Sequence, residues 1–479
     1  MKRFTLLVIP TMENAYHGFG DFVARSLPIG LLSIGAILEK EGYQVEIIDA
    51  DAENLSFTAT LERVVASRPD YVGSTTMTAT MDITYEFFSA IKNKLPGVTV
   101  IVGGPHASAL PQKTLEESKA IDIVVKREGE DTLVELMHAL ESRGSLSGVK
   151  GIAFRKGGQV EETEDRGFIE DLGKLPIPAY HLIKYELYRS YGWNKWVNGY
   201  RSPLGVVFTG RGCFGKCNFC ASKVVLGQRI RYFPVRRIQE EIDLLVNQYK
   251  IRVLYFLDDT FTANRAMVEQ ICDYLIQKEY HKRLEIMVSS RVDTVHAPLL
   301  KKMRKAGVRW ICFGVESGNQ NVLNRINKNI TIVQIREAFK KAREAGLFIA
   351  GNYMIGHLGE TLESARETVE LACDLDQDYV SFAVAIPLPG TELYQHCLDK
   401  KISLPRWNGF GSVNSPPIPL NESLNPDRLV ELRRWATSRF FKRPSYLLKL
   451  LWRFAPLAVI SDFFGMYFVM RQEMRAHRF

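Results

Sequence analysis

The sequence predicts an α/β protein: a doubly wound N-terminal domain, then a partial barrel of six βα units, then a helical C-terminal region. Three observations carry this. Short β-branched apolar runs alternate with helical stretches from residue 4 to about 142, and the alternation resumes from Leu204 to about Cys397. Runs of this kind suit strands buried on both faces of a parallel sheet. Beyond Asn414–Ser415–Pro416–Pro417 the alternation stops and large apolar and basic residues take over. The expected division is 1–145 for the first domain, 146–200 for a hairpin and linker, 201–400 for the barrel and 401–479 for the C-terminal region.

In the first domain, Phe4–Pro10, Val45–Asp49, Asp70–Ser74, Val98–Gly103 and Ile121–Lys126 read as strands. Between them lie helical patterns such as Ile29 to Glu41, ended by Gly42, and Met81 to Lys94 before Pro96. Sheets of this Rossmann-like type bind ligands beyond the carboxyl ends of their strands. Those ends carry Ser74–Thr75–Thr76, Gly103–Gly104–Pro105–His106 and Arg127–Glu128–Gly129–Glu130. Paired glycines permit close approach of a large ligand, and tight turns with ordinary caps are the plainer alternative. Next come Gly151–Arg155 and Val160–Glu164, which flank Gly157–Gly158 and read as a hairpin. Leu175–Pro176–Ile177–Pro178 then breaks regular structure before an aromatic-rich run from Tyr180 to Tyr200.

The first barrel strand, Leu204–Thr209, runs into Cys213–Phe214–Gly215–Lys216–Cys217–Asn218–Phe219–Cys220, three thiols at C-x3-C-x2-C spacing. A four-iron cube normally takes four cysteines, but the next cysteine is Cys272 and the next histidine His281. A site one ligand short keeps an open position at which a substrate can bind metal. A structural zinc site would need a distant fourth ligand. A disulfide with a spare thiol would suit a secreted chain, and nothing else suggests one.

The remaining barrel strands are Val253–Asp258, Glu285–Ser290, Trp310–Val315, Phe348–Ile355 and Tyr379–Ile386. Val235, Ile238, Ile242, Leu245 and Tyr249 form an amphipathic stripe on the first helix, and Thr331 with Gln334 predicts a capping box. Barrel chemistry sits at the carboxyl ends of strands. Here those ends are polar: Asp258–Asp259, Ser289–Ser290–Arg291, Glu316–Ser317–Gly318, Gly356 to Glu360, and Pro387 to Thr391. For any one of them a helix cap is the alternative. Cys312 could face the cavity, though a small core residue is the commoner role of a free cysteine. Cys272, Cys373 and Cys397 sit in helical patterns.

The cysteine motif, with Phe219 before its last thiol, resembles that of the radical S-adenosylmethionine (SAM) superfamily. The Gly103–His106 turn and the Leu27–Leu32 stretch resemble those of its cobalamin-binding class. So do the Asp258–Asp259, Glu316–Ser317–Gly318 and Pro389–Tyr394 segments. The resemblance implies a TIM-type partial barrel holding a [4Fe-4S] cluster and SAM, preceded by a cobalamin-binding domain. It implies Cys213, Cys217 and Cys220 as cluster ligands. Phe219, Asp258, Ser290, Arg291, Glu316 and Ser317 become candidates for SAM, and Thr75, Thr76, Gly103, Gly104, Pro105, His106, Glu128 and Gly129 for cobalamin. The D-x-H-x-x-G motif that supplies an axial histidine elsewhere is absent, so His106 is not assigned to cobalt. The expected activity is methylation of an unactivated carbon of a small or lipid-like substrate, through a 5′-deoxyadenosyl radical and methylcobalamin. Non-methylating oxidative cyclisation or rearrangement is the alternative, and an iron–sulfur electron carrier or cobalamin sensor the alternative of another class. A methylthiotransferase acting on transfer RNA would call for a second cysteine triad, yet no cysteine precedes Cys213. An external one-electron donor such as flavodoxin or ferredoxin is implied.

Bulk properties agree. A chain of 479 residues, 46% hydrophobic and 24% charged, is long enough for two or three domains. Seven cysteines with three in one loop suit a reducing cytoplasm, and the apolar run after Lys2–Arg3 is too short for a signal peptide. The net charge of +8 is concentrated: Val430 to Phe479 holds ten Lys or Arg against three Asp or Glu. The near-neutral remainder shows no nucleic-acid-binding pattern. Leu424 to Lys442 reads as a helix, and Tyr446 to Met470 as an amphipathic stretch interrupted by Lys449, Arg453, Pro456 and Asp462. That stretch is too broken to span a bilayer. It suits peripheral membrane contact or, alternatively, a cap on the barrel.

Overall fold

The computed structural model describes residues 2–10, 26–188, 203–411, 416–420 and 423–453. The N-terminal sheet has seven strands in the order β2-β1-β3-β4-β5-β6-β7. Strands β1 (Arg3–Val8), β2 (Gln44–Asp49), β3 (Tyr71–Thr75), β4 (Thr99–Gly103) and β5 (Ile123–Val125) are parallel. Their residues alternate between two cores. Leu7, Val72, Val100 and Val102 pack on one face with Phe87, Phe88 and Ile91 of helix Met81–Lys94. Phe4, Leu6, Ile101 and Ile123 pack on the other with Leu31, Leu32 and Leu38 of helix Ile29–Lys40.

The hairpin β6 (Ile152–Lys156) and β7 (Gln159–Glu162), expected in the linker, instead extends this sheet. Val124 of β5 registers with Ala153 of β6 in an antiparallel pair. The apolar half of the hairpin thereby gains a core face, and the first domain reaches past residue 160.

The second sheet contains β8 (Leu204–Val207), β11 (Val253–Phe256), β12 (Glu285–Ser290), β13 (Val308–Glu316), β14 (Phe348–Ile355) and β15 (Tyr379–Val384). Its strands are parallel and ordered β15-β14-β13-β12-β11-β8, so six βα units make an open half-barrel. Outward residues Ile311, Phe313 and Val315 of β13 are fully buried, Phe313 against Phe339 of helix Ile332–Glu344. That helix starts at the expected Thr331–Gln334 capping box. On the inner face Trp310 stacks on Phe348 at 5.0 Å, closing the barrel floor. A short antiparallel ribbon, β9 (Gly210–Arg211) with β10 (Arg231–Tyr232), stands at the base of the cysteine loop.

Two devices join the domains. The aromatic run contributes buried Tyr180, Tyr185 and Tyr188: Tyr180 Oη donates to Glu241 at 2.7 Å and Tyr188 Oη to Asp49 of the first sheet. The rest of that run, 189–200, lies outside the described residues. After the barrel the chain returns to the first domain as a strap. Trp407 and Phe410 pack with Met81, Leu393 and Tyr394, and Trp407 Nε1 donates to Glu117 at 2.6 Å.

Helix Pro426–Phe441 then packs on β15 and on helix Leu362–Asp374. Phe440, Phe441 and Tyr446 form one ring cluster, with Tyr446 Oη donating to Asp378 O at 2.9 Å. The start of the amphipathic stretch is therefore a barrel cap, although Leu448 is 64% exposed. The stretch beyond 453 lies outside the described residues. Among the described residues no helix is long and apolar enough to cross a membrane.

Candidate active site

The cysteine loop is pinned at its root. Asp258, buried just beyond β11, accepts from Thr209 Oγ1 at 2.8 Å, Thr209 N at 3.0 Å and Gly210 N at 2.9 Å. Burial nevertheless pushes its carboxyl up to about 7. Gly212 follows at φ 102°, where a Cβ would lie 2.3 Å from Arg229 O, so only glycine fits. Cys213, Cys217 and Cys220 are free thiols, Cys217 buried and the other two half-buried. Gly215 N donates to Cys213 Sγ at 3.4 Å, and Asn218 N to Ile326 O at 3.1 Å. Burial pushes the Cys220 thiol up to about 11 and raises that of Cys217, which Lys328 and Arg291 oppose by their charge. Among the described residues no three His, Cys, Asp or Glu side chains close around a single ion. Three thiols at this spacing suit a cluster that spreads its ligands over separate irons.

Two buried cations face these thiols. Arg291 binds Asp293 at 3.0 and 2.9 Å, donates to Lys328 O at 2.8 Å and lies 5.3 Å from the Phe214 ring. Lys328 Nζ donates to Glu316 Oε1 at 2.8 Å. Asn327 and Asn329, at φ 55° and 54°, hold Lys328 between two left-handed turns. Glu316 itself has φ 69°, where the β13–β14 register shifts. A non-glycine residue held there stores strain of about 1–3 kcal/mol, a mark of functional sites.

The expected SAM residues thus divide. Arg291, Glu316 and Phe219 stand beside the cysteines, Phe219 with its ring 5.5 Å from that of His357. Asp258, Ser290 and Ser317 are spent on the scaffold. Ser290 bonds Thr262 and Thr294, and Ser317 meets Thr368 at 3.1 Å, tying β13 to the helix after β14. Sequence reasoning missed Lys328, for which Asn-Lys-Asn was the one local signal: asparagine tolerates left-handed backbone. Glu360 is also scaffold, accepting from Gly356 N and His357 N. Cys312 is not core. It lies half-buried on the inner wall, where Asn352 Nδ2 approaches its sulfur at 3.3 Å.

At the strand ends of the first domain lies a cavity of about 320 Å³ with mainly apolar walls. Thr75, Gly103, Gly104, Pro105, Glu128 and Gly129 line it, and Phe208, Leu226 and Phe233 close it from the barrel side. Gly104 has φ 92°, and a Cβ there would sit 2.4 Å from Thr75 Oγ1 and 2.7 Å from Thr76 N. Its glycine is demanded by the turn itself. Thr76 and His106 lie outside the wall. Thr76 Oγ1 donates to Gly103 O at 2.7 Å and accepts from Ala107 N at 3.0 Å. His106 is fully buried, meets Thr78 Oγ1 at 3.3 Å and packs edge-on against Trp407 with ring centres 4.6 Å apart. Burial pulls its pKa down to about 4, so its ring is neutral.

The fold and site are thus a half-barrel carrying a loop of three free thiols, set against an α/β domain with a ligand-sized cavity at its strand ends. The B12 binding domain family matches residues 21–137 and the radical SAM superfamily residues 207–372. An uncharacterized methyltransferase of Pyrococcus horikoshii is 34% identical, the match covering 93% of this chain and 94% of the relative. The chain belongs to the cobalamin-binding radical SAM enzymes. An anaerobic magnesium-protoporphyrin IX monomethyl ester cyclase of Cereibacter sphaeroides is 29% identical over 80% of this chain and 63% of the relative. The fold is also that of the radical SAM methyltransferase TsrM from Kitasatospora setae, with TM-score 0.68 and 19% identity over 90% of this chain and 81% of that one.

Proposed function

We propose that this enzyme methylates an unactivated carbon of a small or lipid-like substrate, with Cys213, Cys217 and Cys220 holding a 4Fe–4S cluster and the N-terminal cavity holding part of cobalamin. The observation that carries this reading is the cavity at the β3–β5 ends, opposite the cysteine loop. Three free thiols beside two buried cations suit an anionic cluster, and glycine-lined apolar walls suit a large, mostly uncharged macrocycle. When bound, cluster, SAM and cobalamin supply a 5′-deoxyadenosyl radical and a methyl group. The chain's own residues bind and orient. Glu316 and Lys328 present opposite charges, complementary to the amino and carboxylate ends of SAM, and Arg291 adds a cation beside Cys217. Phe219 offers an aromatic face next to Cys220. The inner wall offers neutral groups to substrate: Tyr255 Oη meets Ser289 Oγ at 2.8 Å, and Asn352 and Ser381 are open. Electrons for a bound cluster would come from an external one-electron carrier.

The similarity to the cyclase favours a second reading, oxidation without methylation. Product analysis decides between them. Methylation gives S-adenosylhomocysteine and 5′-deoxyadenosine together, whereas 5′-deoxyadenosine alone supports the cyclase-like reaction. Failure of the purified protein to take up cobalamin at micromolar concentration removes the methylase reading.

A further inference from the structure

Between the cavity and the cysteine loop lies a buried ionic network that none of the chemistry above uses. Arg211 stands two residues before Cys213. Its guanidinium donates to Glu128 Oε1 at 3.0 Å and to Glu130 Oε1 at 2.6 Å. Arg231, the register partner of Arg211 across the β9–β10 ribbon, donates to Glu128 Oε2 at 2.6 Å and to Ile169 O at 2.7 Å. Both Glu128 side-chain oxygens are thus held from the barrel side. Glu128, Glu130 and Arg211 all line the cavity. The side chains of Glu128, Glu130 and Arg231 are at most 6% exposed and that of Arg211 13%.

We infer that Arg211 is a positioning residue that fixes the cluster loop against the cobalamin wall, so that filling either site favours filling the other. This rests on the proposed reading of the cavity. The physical reason is the stiffness of the connection. Buried charges that lose a partner are strongly destabilising, so the four side chains shift as one unit rather than stretching apart. Only Gly212 separates Arg211 from Cys213, whose N donates to Gly227 O at 3.2 Å, so a displacement of the ribbon at Arg211 reaches the first thiol within two residues. A ligand seated against Glu128 and a cluster seated on Cys213 therefore select the same position of one rigid piece, and the resulting coupling is reciprocal.

The test is anaerobic titration of hydroxocobalamin, followed by absorbance, into iron-free and cluster-reconstituted enzyme. The cluster should tighten wild-type binding about five-fold or more, the usual lower range of site coupling. In Arg211→Gln, with full iron content retained, that ratio should fall to about one while cobalamin still binds. Should Arg211→Gln not fold, Glu130→Gln removes one of the two carboxylates that Arg211 spans and should lower the ratio. A wild-type ratio of one, or a ratio unchanged in the variant, overturns the inference while leaving the cofactor reading intact. Absence of cobalamin binding in every sample defeats that reading and the inference with it.

Discussion

Lys328 and the cysteines it faces set the strongest local expectations. Cys217→Ala should lose both iron and 5′-deoxyadenosine formation, measured after anaerobic reconstitution. Lys328→Met removes a buried cation beside Cys217, and a nearby positive charge favours the reduced, more negative cluster. The cluster midpoint should drop by about 60 mV or more in an EPR-monitored titration, one tenfold step of a one-electron couple. An unchanged midpoint would show that Lys328 serves Glu316 alone. His106 gives a pH expectation. Its folded pKa near 4 lies below the ordinary 6.5, so between those values the unfolded chain binds a proton that the folded one refuses. Stability present above pH 6.5 is then lost on acidification, by about 2 kcal/mol at pH 5. The pH slope of chemical unfolding should flatten in His106→Phe, and an identical slope would count against it. The three thiols were legible because their spacing is local. Asp258, Ser290 and Ser317 were not separable from Glu316 and Arg291, because polarity at a strand end does not reveal which groups the scaffold has already spent.

Among the elements, the β4 turn and the strap carry testable weight. Gly104→Ala should destabilise the first domain and abolish cobalamin uptake while the barrel still assembles its cluster. Adding Thr75→Ala should not rescue it, since the Thr76 backbone also lies within 3.0 Å of the new Cβ. Recovery in that double variant would refute the steric account. Trp407→Ala deletes a ring held by His106, Phe410 and Glu117. It should cost about 3–5 kcal/mol, the range for large aromatic deletions, read as an earlier first unfolding transition. The alternation of strands and helices was readable, to the residue in helix Met81–Lys94 and strand Phe348–Ile355 but less closely in β5, expected over Ile121–Lys126 and found over Ile123–Val125. The hairpin itself was readable from Gly157–Gly158, but its pairing with β5 was not, because pairing is settled by which sheet edge is free. The strap was invisible for the same kind of reason: its partners, such as Glu117, lie hundreds of residues upstream.

For the whole molecule, the basic C-terminal segment poses the remaining question of partners. Tyr446 is core and Lys449 pairs with Asp376 and Asp378, so a fair truncation ends at Arg453 rather than earlier. If the sequence beyond 453 serves a membrane surface, the full chain should float with anionic liposomes at low salt and the truncated chain should not. Equal flotation would assign the segment to another task. The strap bears on how the enzyme comes into being. Every strand of the first sheet lies within residues 3–162, so that domain can fold while the barrel is still being translated. The strap, near residue 407, reaches the tunnel exit only after the whole barrel has been made. At about 5–20 residues per second this leaves an interval of tens of seconds. During that interval the strand-end turns of the first domain are in place while the barrel-side wall and the strap are still to come, so a bulky macrocycle meets a more open cleft than the finished enzyme presents.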